Sequence, residues 1–204
     1  MTDRGPADST RDRIVTAAKA EFSRHGIAGA RVDRIAKEAR TSKERVYAYF
    51  RSKEALYAFV AGQELTVMAE ATRMDPTDLP GYAGRFFDYF TDHPEHYRLL
   101  AWGRLELSET PDAESPTWAA MTRKLEQLRD AQRAGHLDPA WDPVDILSLV
   151  CQIAMSWVGQ PEVAQLSARQ ARDPGTQARR AAVVKAVRLL FPPARTPGAG
   201  GGSS

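Results

Sequence analysis

The chain has 204 residues, of which 43% are apolar and 26% are charged, and this balance predicts one or two globular domains with an apolar core. No apolar run reaches the roughly 18 residues that a membrane span needs, and the first residues lack the apolar segment of a secretory signal. The single cysteine, Cys151, excludes an internal disulfide and a zinc finger. We therefore expect a cytoplasmic protein without cofactors.

Charge is distributed unevenly along the chain. Residues 1–60 hold 13 Lys and Arg against 8 Asp and Glu, whereas residues 61–204 hold 15 against 18. The N-terminal quarter is therefore basic although the whole chain carries a formal charge of only +2. This asymmetry favours a polyanionic partner for the first part of the chain.

Apolar residues recur with a period near 3.6 in almost every segment, which predicts an all-α fold. The first four helices are predicted at about 10–25, 32–39, 42–50 and 52–73. Gly26 supplies a stop for the first helix, and either Thr41 or Ser42 can cap the third.

Longer helices are predicted after residue 55, each bounded by Pro, Gly or Asp, at 80–91, 94–107, 114–134, 143–159 and 175–191. The two ends of the chain, 1–8 and 192–204, are poor in apolar residues and are expected to be disordered. The predicted domains are thus a short-helix domain at 9–55 and a larger helical domain at 56–191.

The three short N-terminal helices have the proportions of a helix-turn-helix. Cations stand at helix starts, where the helix dipole disfavours them: Arg11 and Arg13 in the first helix, Lys43 in the third and Lys53 in the fourth. An anion such as a phosphate at these ends would explain the pattern, although the same cations could simply be solvated.

The stretch from Phe22 to Leu56 resembles the DNA-binding domain of the TetR family of bacterial regulators. The resemblance is carried by Phe22, Gly26, Ile35, Ala36, Ala39, Ser42, Val46, Tyr47, Phe50 and the run from Ser52 to Leu56. It implies a recognition helix at about 42–49 in the major groove, and a homodimer that binds a palindromic operator as a repressor and is released by a small-molecule effector. The residues it indicates for DNA contact are Arg31, Arg40, Thr41, Ser42, Lys43, Glu44, Arg45, Tyr47, Tyr49 and Lys53.

Within that set, the resemblance assigns Lys43, Glu44 and Arg45 to base edges, and an Arg fork suits guanine. Two positions depart from the family pattern. Arg40 replaces the usual turn glycine, so that either the turn differs or Arg40 contacts the DNA backbone. Ala30 and Arg31 stand where the family has a Thr or Ser cap.

The helices predicted at 143–159 and 175–191 are apolar on more than one side, which favours a dimer face, although ordinary core helices are the alternative. The residues expected in that face are Ile146, Leu149, Val150, Ile153, Val183, Val187 and Leu190. An aromatic and Met-rich set can line an effector pocket or form core. Its expected members are Phe86, Phe90, Trp102, Arg104, Trp118, Met121, Met155 and Trp157.

No nucleophile, phosphate-loop or metallohydrolase motif occurs, so the sequence predicts no enzyme. His93 and His96 offer two imidazoles without an evident third ligand, so no metal site is expected. Three other hypotheses remain open: a regulator controlled by a partner protein, a regulator without a ligand, and an all-α enzyme or carrier without a known motif.

Overall fold

The computed structural model describes residues 9–107 and 116–192, and within them it contains ten α-helices and no strand. The all-α prediction is confirmed. Their bounds are α1 Thr10–Gly29, α2 Val32–Glu38, α3 Lys43–Tyr49, α4 Lys53–Ala71, α5 Leu79–Asp92, α6 Pro94–Glu106, α7 Pro116–Arg133, α8 Pro143–Ala154, α9 Pro161–Gln170 and α10 Thr176–Leu190. None of these helices is long and apolar enough to cross a membrane.

The described residues form two compact units. The first comprises residues 9–68 and 93–107, and the second comprises residues 69–92 and 116–192. The domain boundary expected at residues 55 and 56 falls inside α4, and α6 belongs to the first unit although α5 separates it in sequence from α4. Apart from residue 192, the expected disordered ends lie outside the described residues, as does the predicted start of a helix at residue 114.

The first unit is built around an apolar core that α1 to α4 share with α6. Helices α2 and α3 have 7 residues each, so neither is stable by itself and both depend on this core. Phe22 of α1 packs edge-on against Tyr57 of α4, and the Tyr57 hydroxyl donates to the carbonyl of Leu99 in α6 at 2.8 Å. Leu99 is itself completely buried. Helix α6 is therefore part of the scaffold that holds the short helices.

Helix α1 is interrupted by Gly26, whose φ of 69° is non-helical, and then makes one more turn to Gly29. A Cβ at Gly26 would lie within about 3 Å of Trp102 in α6, so glycine is required by the backbone and by the packing. The predicted stop at Gly26 thus corresponds to a kink. The last helix turn holds Ala28, whose N–H donates to the Glu106 carboxylate at 2.6 Å.

The second unit has an aromatic centre. Tyr82, Phe86 and Phe90 follow one another along α5, with ring centroids 5.8 and 5.2 Å apart. Arg180 of α10 forms an ion pair with Asp88 of α5 at 2.8 Å. Helix α8 ends at Ala154, five residues before the predicted end, and α9 was not predicted because none of its described residues is buried.

Candidate nucleic-acid interface

Helix α3 exposes almost its whole surface. Val46 is its buried residue, and it anchors the helix to the core of the first unit. The remaining side chains are exposed, including Tyr47 and Tyr49, each with 42% of its surface accessible. The side chain of Ser42 accepts the N–H of Arg45 at 3.2 Å, so Ser42 caps the helix and Thr41 does not. A polar, aromatic helix held by one apolar anchor is suited to enter a groove.

Arg40 occupies the turn between α2 and α3 in the left-handed conformation, with φ of 52°. The turn is closed by the N–H of Arg40 on the Lys37 carbonyl at 3.1 Å and by the N–H of Thr41 on the Ala36 carbonyl at 2.9 Å. The Arg13 guanidinium also donates to the Ala39 carbonyl at 3.2 Å. The turn therefore has the geometry that favours glycine, and the exposed Arg40 side chain adds positive charge beside α3.

A carboxylate from α1 satisfies the start of α2, where the usual Ser or Thr cap is absent. Glu21 accepts the backbone N–H of Arg31 at 2.9 Å and the Arg34 guanidinium at 2.7 Å. Burial raises the pKa of Glu21, but the hydrogen bonds from Arg34 and Arg31 outweigh it and the pKa lies below its ordinary value. Glu21 thus binds the N–H of the cap residue itself, and no side chain among the described residues caps the N–H groups that follow it in α2.

The lysines at the starts of α3 and α4 already have partners inside the protein. Lys43 forms an ion pair with Asp33 at 3.2 Å. Lys53 donates to the carbonyls of Ala28 and Ala30 at 3.2 and 3.4 Å. The unfavourable placement of these cations is therefore partly explained by internal bonds.

A cleft of about 630 Å³ lies beside these lysines, between the starts of α2 and α4 and the side of α3. Tyr47 is one of its walls, and its charged lining consists of four cations and two carboxylates: Arg31, Lys43, Arg51, Lys53, Asp33 and Glu54. Arg51 is exposed and was missed, because nothing in the helix periodicity distinguishes a residue in the turn before α4. The concentration of positive charge in a concave surface favours a phosphate group.

Four of the residues expected in a dimer face are buried within a single chain. Ile146, Val150, Val183 and Val187 are at most 2% exposed and form the core between α8 and α10, so they cannot contact a second copy. Leu149 is exposed, and Ile153 and Leu190 are half-buried. The exposed apolar residues of the two helices also include Val144 and Leu189, the latter with 72% of its surface accessible.

The residues expected in an effector pocket are divided between the two units. Trp102 and Arg104 lie on α6 in the first unit, and the side chain of Arg104 is exposed. The other members belong to the second unit. Phe86 and Phe90 are buried there, Trp118 and Met121 have about half of their surface accessible, and Met155 and Trp157 are half-buried.

The second unit also contains a polar group that sequence reasoning missed. The Lys124 ammonium donates to the hydroxyl of the fully buried Tyr82 at 3.0 Å, and that hydroxyl lies 3.9 Å from the Cys151 sulfur. Burial lowers the pKa of Lys124 and raises that of Tyr82 well above its ordinary value. No periodic pattern could have indicated that α5, α7 and α8 bring these three residues together.

A set of metal-ligating side chains occurs at the start of α6. His93, Glu95 and His96 hold one ligand atom each within 4.8 Å of one another. Glu95 is a potential third ligand that the sequence analysis did not recognise.

Comparison with known proteins agrees with this architecture over most of the chain. Residues 14–60 match the family described as bacterial regulatory proteins, tetR family. Residues 78–188 match the family described as tetracyclin repressor-like, C-terminal domain.

Individual relatives are transcriptional regulators, not enzymes. The repressor SCO4008 of Streptomyces coelicolor is 38% identical over 192 residues, which cover 93% of this chain and 98% of that protein. The repressor NicS of Pseudomonas putida is 36% identical over 103 residues, which cover 47% of this chain and 48% of that protein. The crystal structure of the transcriptional regulator SCO4942 of Streptomyces coelicolor superposes with a TM-score of 0.83 at 66% identity, covering 90% of this chain and 99% of that one.

Proposed function

This chain belongs to the TetR family of bacterial regulatory proteins, and on that premise we propose that it is a repressor that binds a palindromic operator as a homodimer. A small-molecule effector bound in the second unit releases it from DNA. The protein acts in the cytoplasm, where bacterial DNA lies.

The exposed face of α3 carries this proposal. Because only Val46 is buried, the side chains of Lys43, Glu44 and Arg45 are available at the start of the helix for base edges. Arg45 has the planar fork that suits guanine, and its guanidinium lies 5.8 Å from the Tyr49 ring, which limits its orientation. Ser42 and Thr41 precede it in the turn, within reach of the same strand of DNA.

Phosphate contacts come from the surface around α3. The cleft beside α3 receives one phosphate on Arg31, Arg51 and Lys53, with the Tyr47 hydroxyl as a further donor. The exposed Arg40 in the turn before α3 and Tyr49 at the end of α3 contact the flanking DNA backbone. Lys53 holds the carbonyls of Ala28 and Ala30, so it also positions the start of α2.

The test is selection of bound sites from a random duplex pool, followed by fluorescence anisotropy on the recovered site. We expect one palindrome, and for Arg45→Ala a loss of roughly 10- to 100-fold in affinity for it, because a bidentate Arg–guanine contact contributes about 1–3 kcal/mol. Arg129→Ala is the matched control, since Arg129 is an exposed arginine of α7. The control should bind the operator with unchanged affinity.

Recovery of no common sequence, or an equal effect of Arg45→Ala and Arg129→Ala, would contradict a base-reading role for α3. Salt provides a second check. A phosphate-contacting residue such as Arg51 should, when replaced by Ala, reduce the salt dependence of binding by about one unit of slope, whatever the DNA sequence.

The homodimer is proposed to pair through the exposed faces of α8 and α10. Leu149 and Leu189 are exposed, and small residues such as Ser148, Ala182 and Ala186 lie along the same exposed surfaces. Such a surface permits close approach of a second copy, and two-fold symmetry matches that of a palindrome. Ile153 and Leu190 border it.

For the effector, we propose that the second unit selects an acidic or phenolic molecule. Lys124 carries this proposal, because it is half-buried and its ammonium donates to the neutral hydroxyl of Tyr82. A buried cation is costly unless an anion accompanies it, so an anionic group beside Lys124 would be stabilised. Phe86 and Phe90 are buried on the same helix as Tyr82 and supply apolar surface along it.

A screen of small carboxylates and phenols against the operator complex tests this. An active compound should release the wild-type protein, and Lys124→Met should keep its operator affinity while losing at least tenfold in sensitivity to the compound. Arg123→Met, one residue away and exposed, is the control. Release of Lys124→Met by the same compound at the same concentration would contradict the role of Lys124.

A further inference from the structure

We propose that His93, Glu95 and His96 at the start of α6, together with Glu64 of α4, form a binding site for a divalent transition metal ion of the zinc type. All four residues belong to the first unit. The inference is independent of the proposed effector, whose site lies in the second unit.

Three of the four ligand groups lie close together, and the fourth adjoins one of them. The Glu95 carboxylate lies 3.7 Å from Nδ1 of His93 and 3.5 Å from Nε2 of His96. Nε2 of His96 also lies 2.7 Å from Oε2 of Glu64. Ligands placed about 2.0–2.2 Å from a tetrahedral ion are roughly 3.4 Å from one another, so the two Glu95 distances are close to that spacing and the His96–Glu64 pair would have to open.

The ligand types select the class of ion. Two imidazoles and two carboxylates suit Zn²⁺, Co²⁺ or Ni²⁺, whereas Mg²⁺ and Ca²⁺ prefer oxygen ligands alone. The imidazoles of His93 and His96 are stacked in nearly parallel planes with centroids 4.9 Å apart, so the exposed His93 ring would turn out of the stack to bring its lone pair to the ion. The arrangement therefore favours a borderline-soft metal ion.

Burial divides the four residues into a fixed pair and an adjustable pair. The side chains of His96 and Glu64 are 5% and 13% exposed, so packing holds them in place. Those of His93 and Glu95 are 47% and 38% exposed, so they can rotate and leave an entry path for the ion. Because His96 and Glu64 lie on different helices, a bound ion would join α6 to α4 within the unit.

Lys19 of α1 competes with the ion for Glu64. Its ammonium lies 2.9 Å from Oε2 of Glu64, and its side chain is 30% exposed. An incoming ion would displace the ammonium into solvent. Replacement of Lys19 should therefore strengthen metal binding. Few surface substitutions would have that effect, so the result discriminates between this site and a nonspecific one.

The experiment is a titration of the full-length, tag-free protein with Co²⁺, followed by visible absorption, and then competition with Zn²⁺. We expect one Co²⁺ per chain, with the intense d–d bands of low coordination number that Zn²⁺ abolishes. His93→Ala and Glu95→Gln should each weaken binding at least tenfold, and Lys19→Gln should strengthen it severalfold. His96→Gln should abolish Co²⁺ binding. Because His96 is buried, this substitution can also disturb folding, so the variants at the exposed positions His93 and Glu95 decide the test.

The chain offers matched controls, because its other two histidines, His25 and His136, are exposed and outside the cluster. His25→Ala and His136→Ala should bind Co²⁺ like the wild type, and circular dichroism should show every variant folded. Binding that is lost in a control variant, or that persists in both His93→Ala and Glu95→Gln, would overturn the site. An unchanged Co²⁺ affinity in Lys19→Gln would show that Glu64 does not bind the ion and would overturn the four-ligand site. Operator binding is measured separately, so failure of the metal site and failure of DNA recognition are distinguishable.

Discussion

Helix α3 and the pair α8 and α10 both present exposed surfaces, but their chemistry is opposite. On α3, charged and aromatic side chains surround one buried residue, Val46. On α8 and α10, buried valines and isoleucine occupy one side, and exposed leucines and small residues occupy another. Water solvates the first surface well, whereas the second exposes apolar area without a covering element among the described residues.

The comparison shows when the sequence of a helix is enough to predict which of its sides is exposed to a partner. A polar helix with a single apolar residue can bury only the side that carries that residue, so the sequence alone predicts which side is exposed. On α3 the exposed side carries cations, which favour a polyanionic partner. A helix that is apolar on two sides has two possible buried sides, and only packing decides between them. The four predictions below test each half of this comparison, from the largest expected effect to the smallest.

Ile146 distinguishes a core residue from an interface residue on α8. It is 1% exposed within one chain, so Ile146→Ala should lower the free energy of unfolding by about 2–5 kcal/mol through lost burial and a cavity. Chemical denaturation measures this, and sedimentation of the folded fraction should show the wild-type oligomeric state. Dissociation of the oligomer without loss of stability would instead put Ile146 in the interface.

Leu189 tests the exposed side of the same helices. Leu189→Arg places a charge in the proposed dimer face, and we expect dimerisation to weaken at least tenfold, about 1.4 kcal/mol or more, with operator affinity falling in parallel. Analytical ultracentrifugation over a range of concentrations measures it. Leu166→Arg, at an exposed leucine of α9, is the matched control and should dimerise and bind the operator like the wild-type protein. Equal behaviour of the two variants would contradict the proposed face.

Arg40 tests the turn beside α3. A residue with a Cβ in the left-handed region costs roughly 1–2 kcal/mol, and glycine loses part of that gain through its freedom in the unfolded chain. Arg40→Gly should therefore raise the unfolding free energy by up to about 1 kcal/mol and weaken operator binding.

The control for Arg40→Gly is the reverse change at Gly135, which has φ of 76° and open space around its Cα. Gly135→Ala should lower stability by roughly 1 kcal/mol. Thermal melts of both variants check the pair. A loss of stability in Arg40→Gly would show that the arginine side chain makes a contact worth more than the backbone strain.

Replacement of Glu21, which binds the start of α2, should change the free energy of unfolding least. Because its pKa is lower in the folded protein than in the unfolded chain, its stabilising contribution is complete above the ordinary value near 4.5 and is lost as pH falls through the lower folded value. Glu21→Gln should cost less than about 1 kcal/mol at pH 7, since its partner Arg34 is half-exposed. The difference from wild type, measured by urea denaturation, should shrink as the pH falls below that ordinary value and through the lower folded pKa. A constant difference across that range would exclude the charge as its cause.

Much of the candidate DNA-binding surface could be predicted from the sequence. Two short helices, an apolar anchor and a cap at Thr41 or Ser42 follow from local patterns, whereas only the structure chose Ser42 and showed that Arg40 keeps the left-handed conformation in the turn. Arg51 was missed because a turn residue has no periodicity. The internal bonds of Lys43 and Lys53 were missed because each partner is ten or more residues away in sequence.

The sequence by itself determined that the protein is all-α, where its short helices begin and which face of α3 is polar, because these depend on residues within one or two helical turns. Only the tertiary structure decided that α6 packs against α1, which side of α8 is core, and that Lys124 meets Tyr82 and His96 meets Glu64. Those contacts join residues that are 32 or more positions apart, and helix periodicity carries no information about which distant helix a buried face will meet.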